Sequence, residues 1–91
     1  SLVLTSGESY VGYFVNGLAL DGGLDGISEI RKVIKKSSEL IKYGGKLILE
    51  IAYNQTREVK KLLKKNGFYT NLVVKDLAKN DRCIISTKIE E

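Results

Sequence analysis

The sequence has no histidine and only one cysteine, Cys83. A single thiol excludes an intramolecular disulfide. Without histidine or a thiol cluster there is no donor set for a tetrahedral zinc site. No apolar run approaches the ~20 residues that a membrane-spanning helix needs, so no membrane partner is expected. The start Ser1-Leu2-Val3-Leu4-Thr5 carries no basic stretch and is too short for a secretory signal. It also lacks an initiator methionine, so the chain is expected to begin within a longer protein. An unpaired thiol and no export signal point to a reducing, cytoplasmic setting.

What is present is a folded composition. Over 91 residues, 43% are hydrophobic and 29% charged, which suits one domain or part of one. So short a chain buries a modest core. The net charge is +4, from 15 Lys and Arg against 11 Asp and Glu. An anionic partner such as RNA is one reading of that excess. The lysines, however, recur at helical spacing opposite apolar residues, with few aromatics among them. That favours a solvated helix face, and no sequence-specific nucleic-acid recognition is expected. Cys83 in the run Cys83-Ile84-Ile85 reads as a small buried hydrophobe, since reactive thiols need an accessible, electropositive setting.

Residues 1–24 read as a glycine-rich loop segment, punctuated by Gly7, Gly12, Gly17, Gly22 and Gly23, with Leu2–Leu4 as a short strand remnant. From residue 25 to 91 the pattern is an α-β-α-β-β core. Ile27, Ile30, Val33, Ile34, Leu40 and Ile41 share a helical stripe, which predicts a helix from Gly26 to Tyr43 with Asp25 as N-cap and Gly44-Gly45 as the stop. The run Leu47–Ala52 predicts a strand buried on both faces, as in a parallel sheet flanked by helices. Asn54 is placed to cap the next helix, whose apolar face is Val59, Leu62 and Leu63, and Asn66-Gly67 ends it. Phe68–Leu77 and Arg82–Ile89 read as strands. Their connection is short enough only for an antiparallel hairpin.

Four segments, in order, match motifs of one protein family. Leu18-Ala19-Leu20-Asp21-Gly22-Gly23-Leu24-Asp25-Gly26-Ile27, followed by Arg31, is similar to the family's Ala-Leu-Asp-Gly-Gly-x-Asp-Gly-Leu segment. Gly44-Gly45-Lys46-Leu47-Ile48-Leu49-Glu50-Ile51 with Gln55 resembles its Gly-Gly-x-Leu-x-Leu-Glu-Ile-Gly strand and glutamine. Gly67-Phe68 and Lys75-Asp76-Leu77-Ala78 with Asp81-Arg82 resemble its closing elements. Over roughly Leu18 to Ser86 the chain thus resembles the C-terminal portion of HemK-type protein-glutamine methyltransferases, which act on peptide-chain release factors.

The resemblance implies an α/β, Rossmann-like class I fold whose mixed sheet ends in an antiparallel hairpin. It also implies S-adenosylmethionine as cofactor and a release factor as partner, methylated on a glutamine side-chain amide in a Gly-Gly-Gln motif. The departures are equally definite. The family's cofactor loop has no equivalent here. Its Asn-Pro-Pro-Tyr motif is missing, and this sequence has no proline. Val15 and Asn16 stand where the family has Glu-Pro, and Ala52 replaces a glycine. The chain alone is therefore expected to bind no cofactor and to be inactive.

Glu50, Asn54, Gln55 and Asp21 are the substrate-proximal candidates. Glu50 lies near the carboxyl end of its strand, where α/β ligands sit. It either orients substrate or a loop, or simply caps a backbone amide or meets solvent. Asn54 and Gln55 follow it, with helix capping favoured for Asn54. Asp21 to Gly23 either shapes the pocket mouth or is a turn before the helix cap, with the turn favoured, and Asp76, Asp81 and Arg82 read as hairpin residues. The competing class is a non-enzymatic basic module that binds RNA or a protein. The strand Lys46–Ala52, without upstream neighbours, predicts an open sheet edge and a symmetric homodimer. The alternative is that Leu2–Leu4 or Tyr10–Val15 folds back over that edge.

Overall fold

The computed structural model describes residues 2–6, 11–15 and 23–90. The elements run β1 Leu2–Ser6, β2 Val11–Val15, α1 Gly23–Leu40, β3 Lys46–Glu50, a 3₁₀ turn Tyr53–Gln55, α2 Thr56–Lys65, β4 Phe68–Lys75 and β5 Asp81–Lys88. The strands form one five-stranded sheet in the order β1-β2-β3-β5-β4. β2 lies parallel to β3, and α1 is the crossover between them. The remaining neighbours are antiparallel, and β4–β5 is the expected hairpin.

The core lies between the helices and one sheet face. Ile30 and Ile34 of α1 meet Val59, Leu62 and Leu63 of α2 over Leu47, Leu49 and Ile51, with Phe68 and Ile84. These are the positions that a 3.6-residue period on the helices and a two-residue period on the strands bring to one side. Ser86, on the same strand face as Ile84, is fully buried, and its hydroxyl donates to the Leu47 carbonyl at 2.9 Å. Lys88, two residues on, is only 5% exposed. Its ammonium donates to the Ser38 carbonyl in the last turn of α1 and sits 5.6 Å from the centre of the Phe68 ring. A cation there complements the negative end of the helix.

Several expectations are corrected. The segment 1–24 is not only loop, because it holds β1 and β2 and the beginning of α1. β3 is not buried on both faces: Leu47 and Leu49 are buried, while Lys46, Ile48 and Glu50 are half-exposed. On that second face Ile48 pairs with Ile85, and Ile85 with Leu72, which is 54% exposed. The open edge beside β3 is occupied by β2, which realises the fold-back of the Tyr10–Val15 stretch; Tyr10 itself lies outside the described residues. The homodimer was argued from that edge and loses this basis. α1 begins and ends three residues earlier than expected, which puts Asp25 inside the helix and not at its cap. Gly44, at φ 87°, closes the turn that follows α1, with the Gly45 amide donating to the Lys42 carbonyl. Asn66-Gly67 does end α2, with Gly67 at φ 84° and the Asn66 side chain donating to the Leu62 carbonyl at 2.8 Å.

Candidate functional site

The carboxyl end of β3 gathers three of the four candidates. Glu50 is the last residue of the strand, half-buried, and pairs across the ladder with Cys83 of β5. The next two amides are already bonded. Ile51 donates to the Arg82 carbonyl at 2.8 Å, and Ala52 donates to Oε1 of Gln55 at 2.8 Å. The Gln55 amide returns a bond to the Ala52 carbonyl at 2.9 Å, so Gln55 locks the turn that carries the chain from β3 into α2. This is the glutamine half of a capping box, reaching back to the residue before the turn.

Gln55 is 4% exposed, and its buried Nε2 has no hydrogen-bond partner among the described residues. Because Oε1 accepts from an amide, the orientation of the side-chain amide is fixed and Nε2 must be the unpaired end. Buried donors without partners are rare and destabilising, which marks this one as unusual. Asn54 is exposed and does not cap α2, because the residue preceding that helix is Gln55. Asp21 lies outside the described residues. Tyr53, 66% exposed, stands between Ala52 and Asn54 on the same turn.

The hairpin is tied to this end of the sheet. Thr56, the first residue of α2, donates its hydroxyl to Oδ2 of Asp81 at 2.6 Å, and Lys75 bonds Oδ1. These two bonds, Lys75 first, hold the Asp81 carboxyl below its ordinary value. Asp76 organises the hairpin turn by accepting from the amides of Ala78 and Asn80, both at 2.9 Å, and its other oxygen meets Arg82 at 3.3 Å. The structural roles expected for Asp76, Asp81 and Arg82 agree with this geometry. Burial, and then the nearby charge of Glu50, push the Cys83 thiol above its usual range, which disfavours a reactive thiolate.

Sequence reasoning missed the Thr56–Asp81 link and the buried Lys88. The first joins residues far apart in the chain and leaves no local signal. The second was accessible, since two-residue alternation puts Lys88 on the same strand face as Ile84 and Ser86. Chemically, the carboxyl end of β3 offers one carboxylate acceptor, an exposed amide and tyrosine, and an inward amide donor. That set can hold and orient a polar group. No trio of His, Cys, Asp or Glu able to hold a metal exists among the described residues, and no described helix is long and apolar enough to cross a membrane.

Comparison with known proteins gives a consistent set of relatives. The chain is 41% identical over 70 residues to the release factor glutamine methyltransferase of Clostridium botulinum, a match covering 77% of this chain and 25% of the relative. It is 41% identical over 75 residues to that of Moorella thermoacetica, covering 81% and 26%. With the Rhodospirillum rubrum protein of the same name it shares 32% over 81 residues, covering 89% and 25%. The chain thus spans about a quarter of the length of the curated relatives it matches. No family model matches the chain, and no solved structure does.

Proposed function

Because this chain belongs to the release factor glutamine methyltransferase family and corresponds to a C-terminal portion of its members, we propose that it forms one wall of a pocket in which a release-factor glutamine is methylated, and that alone it is inactive. The observation that carries the reading is Glu50 at the carboxyl end of β3, between the parallel β2 and the antiparallel β5. Open α/β sheets hold their ligands outside the carboxyl ends of the strands, where the sheet's connectivity changes direction. The parallel β2–β3 pair and the closing antiparallel hairpin support a Rossmann-like class I fold.

An amide nitrogen is a poor nucleophile because its lone pair is delocalised into the carbonyl. S-adenosylmethionine, the methyl donor of this reading, supplies the activated methyl when bound. What the protein must add is alignment. In this reading the Glu50 carboxylate accepts a hydrogen bond from the target amide N–H and fixes its direction. Gln55 holds the turn beside it through the Ala52 amide. No strong base is needed for that task, so the absence of histidine is compatible with it.

The described residues do not by themselves fit the cofactor, which supports inactivity of the chain alone. The amides of Ile51 and Ala52, the nearest free-standing donors, are spent on Arg82 and Gln55. Among the described residues Glu50 is the carboxylate that β3 itself places at this end, and no glycine follows it before α2 to admit a nucleoside. Two measurements test this: titration calorimetry with millimolar S-adenosylmethionine, and mass spectrometry of a Gly-Gly-Gln peptide incubated with the chain and cofactor. The expected results are no saturable heat and no added methyl group. A micromolar isotherm or a methylated peptide would overturn the reading.

A further inference from the structure

A second surface lies at the other end of the molecule, where α1 finishes and β3 starts. Three depressions there run into one another. The first, about 520 Å³, is bounded by Arg31 and Lys35 of α1 and by Leu62, Lys65 and Asn66 of α2. The second shares Lys65 and Asn66 with it and adds Ser38 and Lys88. The third shares Ser38 and Lys88 and continues to Lys42 and Tyr43. Neighbouring depressions share walls, and together they make up a groove along the flank of α1. Its helical part, from Arg31 to Leu40 at the end of α1, spans roughly 14 Å at ~1.5 Å per residue.

The charge in this groove is one-sided. Arg31, Lys35, Lys42 and Lys65 are its exposed cations, against Glu39 and Glu90, and the first depression has no carboxylate at all. Lys88 lies beneath them, its ammonium held by the Ser38 carbonyl. The ion pairs among the described residues are Lys32–Glu29, Lys75–Asp81 and Arg82–Asp76, so none of these four exposed cations is in one. Arg31 and Lys35 sit four residues apart on one helix, where like charges repel, and Lys65 converges on them from the neighbouring helix. Arg31, Lys35 and Lys65 line one depression whose wall also includes the apolar Leu62. At the far end Tyr43 is 65% exposed.

We propose that this groove binds a single-stranded polynucleotide through its phosphate backbone, without regard to sequence, with a base stacked on Tyr43. A cationic groove that tracks the backbone and ends on an aromatic face is the general physics of single-strand binding. Paired bases are already stacked and offer Tyr43 no free face. An acidic peptide would satisfy the charge but leave the ring unused. The surface is separate from Glu50, which stands at the opposite end of β3, so it neither needs nor blocks the proposed methyl-transfer role.

The test is fluorescence anisotropy of a labelled 12-nucleotide oligouridylate with the full chain at several salt concentrations. A 12-base-pair RNA duplex and a polyglutamate 12-mer serve as competitors. The groove variant Arg31→Ala/Lys35→Ala/Lys65→Ala is compared with an equal charge loss on the other flank of α2, Arg57→Ala/Lys60→Ala/Lys64→Ala. All six positions are exposed. Binding is expected to weaken at least about tenfold in the groove variant, and the salt slope to fall by about 2 as three phosphate contacts disappear. Tyr43→Ala is expected to lose about tenfold and Tyr43→Phe to retain binding. Equal losses in the two triple variants would overturn the proposal. So would equal competition by duplex or polyglutamate, an unchanged Tyr43→Ala, or an absence of saturable binding at low salt. Circular dichroism of each variant checks that the fold persists. If the groove variant unfolds, the Tyr43 pair decides the outcome.

Discussion

Replacing Gln55 by methionine is expected to leave the fold as stable as before, or more stable by about 1 kcal/mol. Gln55 is 4% exposed, and its two amide atoms have opposite situations. Oε1 accepts from the Ala52 amide at 2.8 Å, while Nε2 is buried and has no partner among the described residues. Losing the first interaction removes a neutral hydrogen bond, a net effect of ~0.5–1.5 kcal/mol, and half-buried Ala52 can recover part of it from water. Removing the second relieves the desolvation of an unsatisfied donor, about 1–3 kcal/mol. Methionine keeps the two methylenes and the approximate volume, so little is lost in packing. Gln55→Ala also relieves Nε2 but discards apolar contact at ~0.8 kcal/mol per methylene, and should be the less stable of the two by roughly 1–2 kcal/mol. Gln55→Glu places a carboxyl in a buried site, so its folded pKa rises above the unfolded value near 4.3. Its penalty should be absent below that pH and grow as pH rises through it. Urea denaturation followed by far-UV circular dichroism at pH 7, with m-values compared, reads all three. If Gln55→Met is more than about 1 kcal/mol less stable than the native chain, Nε2 has a partner and the reasoning fails.

Leu49→Ala, at a position 1% exposed, is expected to destabilise by about 2–5 kcal/mol, whereas Ile48→Ala on the half-exposed face should cost less than half as much by urea denaturation. Asp81 holds a depressed carboxyl pKa through Lys75 and Thr56, so the stability it contributes is present above its unfolded pKa and is lost as pH falls through its folded pKa. Acid unfolding curves of Asp81→Asn should therefore be flatter below about pH 4 than those of the native chain. The Cys83 thiol is pushed up by burial and by Glu50, so Glu50→Gln should speed its alkylation by iodoacetamide at pH 8. An unchanged rate would mean that the carboxylate is not felt at the sulfur.

The hairpin, α2 and the core stripe of α1 were legible because their signals are local. Ile30 and Ile34, Val59 with Leu62 and Leu63, and Asn66-Gly67 each announce an element within one or two turns, and all are placed as expected. β1 and β2 were not legible. Gly7, Gly12 and Gly17 break the segment, and the pairing of β2 is with β3, whose residues lie more than thirty positions downstream. The run Leu47–Ala52 misled for a different reason: continuous apolar composition reports hydrophobicity, and cannot say whether both sheet faces are covered. Of the candidate site, the position of Glu50 at a strand end was readable. The lock that Gln55 places on the turn was not, because it depends on side-chain geometry. Asn54 illustrates the same limit: its type suits a helix cap, yet the intervening 3₁₀ turn moves the cap position to Gln55.

The central claim is that Glu50 and its turn belong to the substrate wall of a glutamine methyltransferase. It is tested most directly by transplanting residues 18–91 into the Moorella thermoacetica relative in place of the matching segment. Methylation of release-factor glutamine by the folded chimera is then followed by mass spectrometry. The account predicts an active chimera in which Glu50→Gln lowers kcat at least about tenfold while cofactor binding is unchanged. A chimera that folds and binds cofactor but transfers no methyl group, or one in which Glu50→Gln alters neither kcat nor KM, would contradict it.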